Sequence, residues 1–496
     1  MARAKKAVVV GAGIGGLSAA SLLAHSGWEV DLLEKNDQVG GRARLWEQDG
    51  FRFDMGPSWY LMPEVFEAFF RLFGKSRESF YELHPLDPYY QVFFGPGESV
   101  RIGPDRRKTL AVFEGFEPGG AKHLEEYLRK AEYKYEVAMR EFLYRDYASV
   151  FDFFNRRLLV EGLRLQVLSR LDRYVRRFFT DRRARQILEY AMVFLGTSPT
   201  AAPALYSIMS HVDLNLGVTY PEGGLAGVGR AMKELAESEG VRILTDHQVT
   251  GISVSDGNAE RVSTSRGSFD ADVVLVNADY AHAELELLEP RYRSFSARYW
   301  SGRVMAPSMF ILYLGVNKRL RGMDHHNLYF SEHWERHFDT IFRRPAWPDN
   351  PSFYMSCISK TDPGSAPPGQ ENVFILVPVA PGLDDTDEVR ERYADQVIDH
   401  VERMTGESLR GSISVQRIYS HRDFMDDYHS YRGTALGLAH TLMQTAVFRP
   451  GCRSRKVGNL FYTGHYTHPG VGVPMVVIAA QVVAGVINEA AATGRV

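Results

Sequence analysis

The chain has 496 residues, 45% of them apolar and 24% charged, with a formal net charge of −3. That length exceeds one ordinary core and implies two domains, or one large domain carrying an insert. The composition excludes a disordered or fibrous chain, and the near-neutral charge gives no reason to expect a nucleic-acid partner. With only two cysteines, Cys357 and Cys452, neither a disulfide framework nor a metal site is expected, and the usage fits a reducing cytoplasm.

Residues 6–10 form an apolar run that predicts a strand buried on both faces. It begins too early to leave room for a signal or transit peptide ahead of it. Gly11-Ala-Gly13-Ile14-Gly15-Gly16 breaks the run. Leu17, Ala20, Leu23 and Ala24 then share one side of a helix that Gly27 ends. Residues 29–33 are a second strand, so the chain starts as a βαβ unit.

In such a unit the first glycine permits the tight turn, the second lets the backbone approach a pyrophosphate, and the third allows close helix–strand packing. The helix N-terminus offers N–H groups and a positive dipole end to phosphate. Glu34 ends the second strand, where its carboxylate is placed to accept from ribose hydroxyls. Lys35 follows. An acid at that position argues against a 2′-phosphate.

Residues 36–60 are glycine-rich and weakly periodic, which predicts an extended loop. Gly40 and Gly41 would let it pass close to a pyrophosphate, where Arg42 supplies positive charge. Residues 89–94 and 99–102 flank a Gly-Pro-Gly hairpin signal, and residues 121–195 are predicted largely helical. Within them, residues 151–185 hold ten arginines and four acids, interleaved with Phe151, Phe153, Phe154, Leu158, Leu171, Val175 and Phe178. A basic amphipathic helix of this kind can lie on an anionic membrane surface; the alternative is a core-packed helix with a solvated charged face.

Residues 225–240 predict a helix, and 242–244, 248–254, 261–265 and 272–276 predict strands that would complete the nucleotide domain. Gly223 to Gly229 lack the spacing and the preceding strand of a second dinucleotide fingerprint. A second strand-rich block follows at 308–316, 327–330, 352–359, 372–379 and 412–419, with a helix at 387–405 and a loop at 361–370. The chain closes with a strand at 459–463 and a helix at 473–491. Its apolar stretch from Val471 to Ile487 reads as a buried helix, because Pro474 and Gln481 interrupt it and Gly470, Gly472 and Gly485 thin it out.

The segment from Glu34 to Ser58, with Gly40-Gly41-Arg42 and Gly56-Pro57-Ser58, resembles the FAD-binding signature of amine oxidases, protoporphyrinogen oxidases and carotenoid desaturases. Further matches are Tyr220-Pro-Glu222-Gly-Gly, Asn277-Ala278-Asp279, Thr361-Asp362-Pro363 and Thr467-His468-Pro-Gly470-Val-Gly472-Val473-Pro474. Together they resemble the bacterial and archaeal phytoene desaturases, including dehydrosqualene and later-step carotenoid desaturases. His465 and Tyr466 depart from the small residues the family often carries there.

That resemblance implies an α/β fold. A Rossmann-like FAD-binding domain of the glutathione-reductase type would take residues 1–75, 220–290 and 455–496. A mixed-sheet substrate domain would take 76–120 and 291–454, and a membrane-contacting helical region 121–219. FAD would be non-covalent, since no cysteine lies between Gly464 and Val496, and would be held by the residues above together with Val249, Asn277, Ala278, Gly464, Gly470, Gly472, Val473 and Pro474.

The implied reaction is desaturation of a carotenoid precursor, by hydride transfer to flavin and proton loss from the neighbouring carbon. The candidate bases are Tyr220, Glu222, His465 and His468. Oxygen or a quinone would reoxidise the flavin, and the protein would be cytoplasmic and peripheral to the membrane. The same motifs fit an isomerase, saturase or terminal oxidase of this fold; a flavin-free lipid escort is the non-enzymatic alternative.

Overall fold

The computed structural model describes residues 5–147, 166 and 169–496. Its five-stranded sheet is all parallel, in the order Leu460–Tyr462, Val273–Val276, Lys6–Val10, Glu29–Leu33, Arg242–Leu244. Continuous apolar runs are what a sheet covered on both faces requires. Helices Ile14–His25, Pro63–Arg71, Gly224–Ser238 and Val473–Ala492 pack on one face. An antiparallel sheet of Val249–Ser255, Asn258–Thr264 and Gly267–Asp270 packs on the other.

Helix Val473–Ala492 is apolar and long enough to cross a membrane by composition alone. Its Val477, Ile478, Ala480, Val483 and Ile487 are nevertheless buried in the core shared with helix Ile14–His25. Trp28 Nε1 donates to Asn488 Oδ1 at 2.9 Å, and Asn488 Nδ2 donates to Ser26 Oγ at 2.9 Å, tying the two helices together.

The seven-stranded sheet runs in the order Ile413–Tyr419, Ser308–Val316, Glu371–Val379, Phe353–Ser356, His326–Tyr329, Tyr90–Gly95, Glu98–Ile102. All pairs are antiparallel except His326–Tyr329 with Tyr90–Gly95. Every residue of Ser308–Val316 and Glu371–Val379 is buried, but the period of two divides them. Phe310, Leu312 and Leu314 pack on helix Asp387–Thr405, while Met309, Ile311 and Tyr313 face the aromatic interior.

Three sequence expectations are corrected. The loop expected over 36–60 contains a hairpin, Leu45–Gln48 with Phe51–Asp54. Its turn, Asp49-Gly50, has positive φ at both residues, the conformation an Asp-Gly pair favours. The helical stretch 121–195 is broken: Gly120–Glu141 is followed, among the described residues, by short pieces at Leu171–Val175, Arg182–Glu189 and Tyr190–Met192. Gly224 is preceded by a strand, Thr219–Pro221, but it pairs antiparallel with Leu83–Pro85 outside the parallel sheet.

The hairpin docks on the large sheet through Phe51. A Cβ on Gly315 would lie 2.6 Å from the Phe51 ring. Gly315→Ala is therefore expected to cost about 1–3 kcal/mol by overpacking, read as a lower urea midpoint. Adding Phe51→Leu should recover part of that loss, and additive effects of the two changes would refute the contact.

Candidate functional site

The parallel strands deliver three glycine turns to one point. Gly11 leaves the first strand at φ +96°, and a Cβ on Gly16 would lie 2.0 Å from Gly11 O, so Gly16 is a packing glycine set behind the site. Gly13 caps helix Ile14–His25 with extended backbone and no side-chain partner, leaving first-turn N–H groups for an anion. Asn277, at the end of Val273–Val276, donates Nδ2 to Gly11 O at 3.2 Å. A Cβ would lie 3.2 Å from its carboxamide if placed on Gly13, 2.8 Å on Gly15 and 3.0 Å on Gly464. Gly40, at φ +104°, forms a parallel bridge with Gly13.

Glu34 is buried. Its Oε2 accepts from Ala12 N at 2.8 Å and its Oε1 from Asn36 N at 2.9 Å. Burial raises its proton affinity, against these N–H groups and the Arg44 guanidinium. Lys35 turns to the Asp426 carbonyl. Arg42 donates Nη2 to Ser430 Oγ at 2.8 Å over the Tyr428 ring, and its buried Nε has no partner. An orphaned guanidinium N–H beside glycine turns suits a pyrophosphate.

Gly11, Gly13, Ile14, Gly15, Glu34, Lys35, Gly40, Gly41 and Arg42 line a single cavity of about 1080 Å³. Gly56, Pro57, Ser58, Val249, Asn277, Ala278, Gly464, Gly472, Val473 and Pro474 line it too. Its volume is at the upper end of ordinary ligand clefts, about 300–1,000 Å³. Gly470 does not line it. A Cβ there would lie 2.3 Å from His440, so Gly470 packs behind the turn. Sequence reading missed Asp427, Tyr428 and His429 at the nucleotide end. It also missed buried Arg449, which donates to the carbonyls of His465, Tyr466, Leu438 and Gln444 and clamps the C-terminal turn. No local motif marks either group.

Two of the four candidate bases fall outside the cavity. Tyr220 donates to Asp362 Oδ2 at 3.0 Å and packs edge-on against His325, and Glu222 is exposed. Their motif is a lock. Buried Asp54 accepts from Leu225 N and Ala226 N, both at 2.9 Å, and a Cβ on Gly224 would lie 2.4 Å from Asp54 Oδ2. This fixes the start of the Gly56-Pro57-Ser58 loop, whose Met55 carbonyl also accepts from Tyr313 OH at 2.7 Å.

His465 and His468 do line the cavity, whereas Tyr466 is buried away from it on Asp279. Burial, then Arg42 and Arg449, holds His465 well below the usual imidazole range. Burial lowers His468 to about 4, with its Nε2 on Phe142 O.

Beyond the glycine turns the cavity is apolar, bounded by Trp59, Phe194, Met209, Met309, Ile311 and Leu376. Met443 and Phe448 also line it while 62% and 43% exposed. Asp213 lies in this part, on a π-helical turn, with Tyr90 and Tyr190 donating to its Oδ2 at 3.1 and 2.8 Å.

The basic amphipathic helix is not what the described residues form. Leu171 and Val175 are fully buried, while Arg173 and Arg177 are exposed, the core-packed alternative. Residues 151–165, with Phe151, Phe153, Phe154 and Leu158, lie outside the described residues.

A model of the flavin-containing amine oxidoreductase family matches residues 14–488. The carotenoid 3,4-desaturase of Haloarcula japonica is 45% identical over 97% of both chains. The zeta-carotene-forming phytoene desaturase of Myxococcus xanthus is 34% identical over 97% of this chain and 93% of that one. Among solved structures, an oxidoreductase from Methanosarcina mazei superposes with a TM-score of 0.64 at 18% identity, covering 96% and 99% of the two chains.

Arg42→Ala removes a charged donor, an interaction of about 1.5–3 kcal/mol. It should weaken flavin retention roughly ten- to hundred-fold, measured by flavin fluorescence on dilution. Unchanged retention would exclude Arg42 from the pyrophosphate site.

Proposed function

Because this chain belongs to the carotenoid desaturases of the flavin-containing amine oxidoreductase family, we propose that it desaturates a long polyene at adjacent carbons, using non-covalently held FAD. One observation carries the reading: a single cavity runs from the glycine turns and Glu34 into an apolar chamber. The donor set fits the dinucleotide, with N–H groups at Gly13 and an unpartnered Arg42 Nε for the pyrophosphate and Glu34 for the ribose. Neither Cys357 nor Cys452 lines the cavity, which supports non-covalent binding. A bound flavin supplies the two-electron, hydride-accepting chemistry.

The chain's own residues do the rest. A hydrocarbon polyene gives no polar handle, so its affinity comes from apolar burial at about 25 cal/mol per Å². Trp59, Phe194, Met209, Ile311 and Leu376 provide that wall and exclude water. Positioning the reacting carbons against the cofactor is then the main catalytic contribution. The Haloarcula relative's name makes the 3,4 position the first to test.

Apolar Met443 and Phe448 at the mouth support peripheral docking to the cytoplasmic membrane face, from which a polyene could pass without crossing water. Reoxidation would fall to oxygen or a quinone.

The test is purified protein with liposomes carrying phytoene, dehydrosqualene or a more conjugated carotenoid. A yellow protein and a red-shifted product spectrum are expected. Colourless protein would favour a lipid escort. Oxygenated, saturated or merely isomerised product would replace desaturation with that chemistry.

A further inference from the structure

Desaturation leaves one hydrogen as a proton, and the proton needs an acceptor. Four carboxylates line the cavity: Glu34, Asp279, Asp427 and Asp213. Three are engaged near the nucleotide end. Glu34 holds Ala12 and Asn36. Asp279 accepts from Tyr466 OH and from the N–H groups of His282 and Tyr431. Asp427 pairs with Arg44 and Tyr419.

Asp213 differs. Tyr90 and Tyr190 hold its Oδ2, while buried Oδ1 has no hydrogen-bond partner. The N–H groups of Asp213 and Leu214 lie near enough to lower its proton affinity but outside bonding geometry. Among the described residues no salt bridge reaches it; the ionisable groups around it are Tyr90, Tyr190 and, from helix Gly120–Glu141, Tyr127, with Glu189 beyond. Both tyrosine rings pack on Trp59, at 5.3 and 6.1 Å between centroids, and Trp59 adjoins Ser58 of the cofactor loop. Its π-helical turn, Val212–Leu216, is a feature that recurs at functional sites.

Charge bookkeeping favours it over the histidines. Protonating His465 creates a buried cation beside Arg42 and Arg449, and His468 also faces Arg449. Protonating Asp213 removes a buried anion from an apolar wall.

We propose that Asp213 is the catalytic base: its carboxylate forms an O–H bond as one substrate C–H bond breaks, that bond's electron pair becomes the new π bond, and the adjacent carbon's hydrogen leaves with its pair as hydride to the flavin. The proposal rests on the desaturase reading above.

Burial raises Asp213 to about 7, against its two tyrosine donors. The carboxylate is the active form, so turnover rises as pH passes through about 7. Infrared titration of the flavin-loaded protein without substrate should show a carboxyl band changing over that range and missing from Asp213→Asn. Tyr90→Phe/Tyr190→Phe removes donors to the carboxylate and should move both the band and the rate profile to higher pH.

Asp213→Asn should keep flavin content and polyene affinity while losing about 10²–10⁴ in turnover, with partial recovery in Asp213→Glu. An active wild type beside an equally active Asp213→Asn overturns the proposal alone. So does a wild type with no titrating band. A wild type that forms no conjugated product on any polyene overturns the desaturase reading and the proposal together.

Discussion

Three strand ends close on the carboxamide of Asn277, and that crowding sets the geometry of everything around it. Gly13, Gly15 and Gly464 all approach so near that a methyl group on any of them would press on the same amide, and its Nδ2 is bonded to Gly11. Backbone can come this close only where side chains are absent. The result is a ring of turns from residues 11–16, 277–278 and 464, drawn from opposite ends of the chain and held by one polar group. The parallel sheet makes it possible, since it places Val10, Val276 and Tyr462 in neighbouring register. Brought together at the carboxyl ends of parallel strands, such turns form the crevice where α/β folds bind nucleotides.

The second half of the site is built by a different device. The seven-stranded sheet turns one row of side chains inward and gives the other to helix Asp387–Thr405, so the same strands supply both a cavity wall and a core. Asp54 connects the two halves. It leaves the hairpin on the large sheet and caps the helix that packs on the parallel sheet, which requires Gly224 at φ +72°. The Tyr-Pro-x-Gly-Gly element thus fixes a loop, and its Tyr220 and Glu222 lie outside the cavity lining.

Electrostatics divide the cavity in the same way. At the nucleotide end, charges are paired: Glu34 with N–H groups and Asp427 with Arg44. Desolvation keeps His465 and His468 neutral and, in the apolar part, raises the proton affinity of Asp213. A hydrocarbon substrate needs little more than this, because the wall that excludes water also sets the proton affinities.

By itself the sequence determined the parallel nucleotide sheet, the long strands 308–316 and 371–379 and the helix 387–405, because their periodicity and length leave little choice. It also marked the glycine turns, Glu34 and Arg42, where a cofactor imposes residue types at fixed spacing. Tertiary structure alone decided which polar groups meet the cavity. Tyr220 and Glu222 lie in a motif yet face away, while Asp213, Asp427 and Arg449 lie in none and line or clamp the site. The apolar faces of Leu171 and Val175, which suggested a membrane, are consumed by the core. The reason is physical. Local pattern encodes which side of an element is greasy and where backbone must bend; which neighbour that side meets, and whether a carboxylate keeps a bare oxygen, depends on partners brought in from elsewhere in the chain.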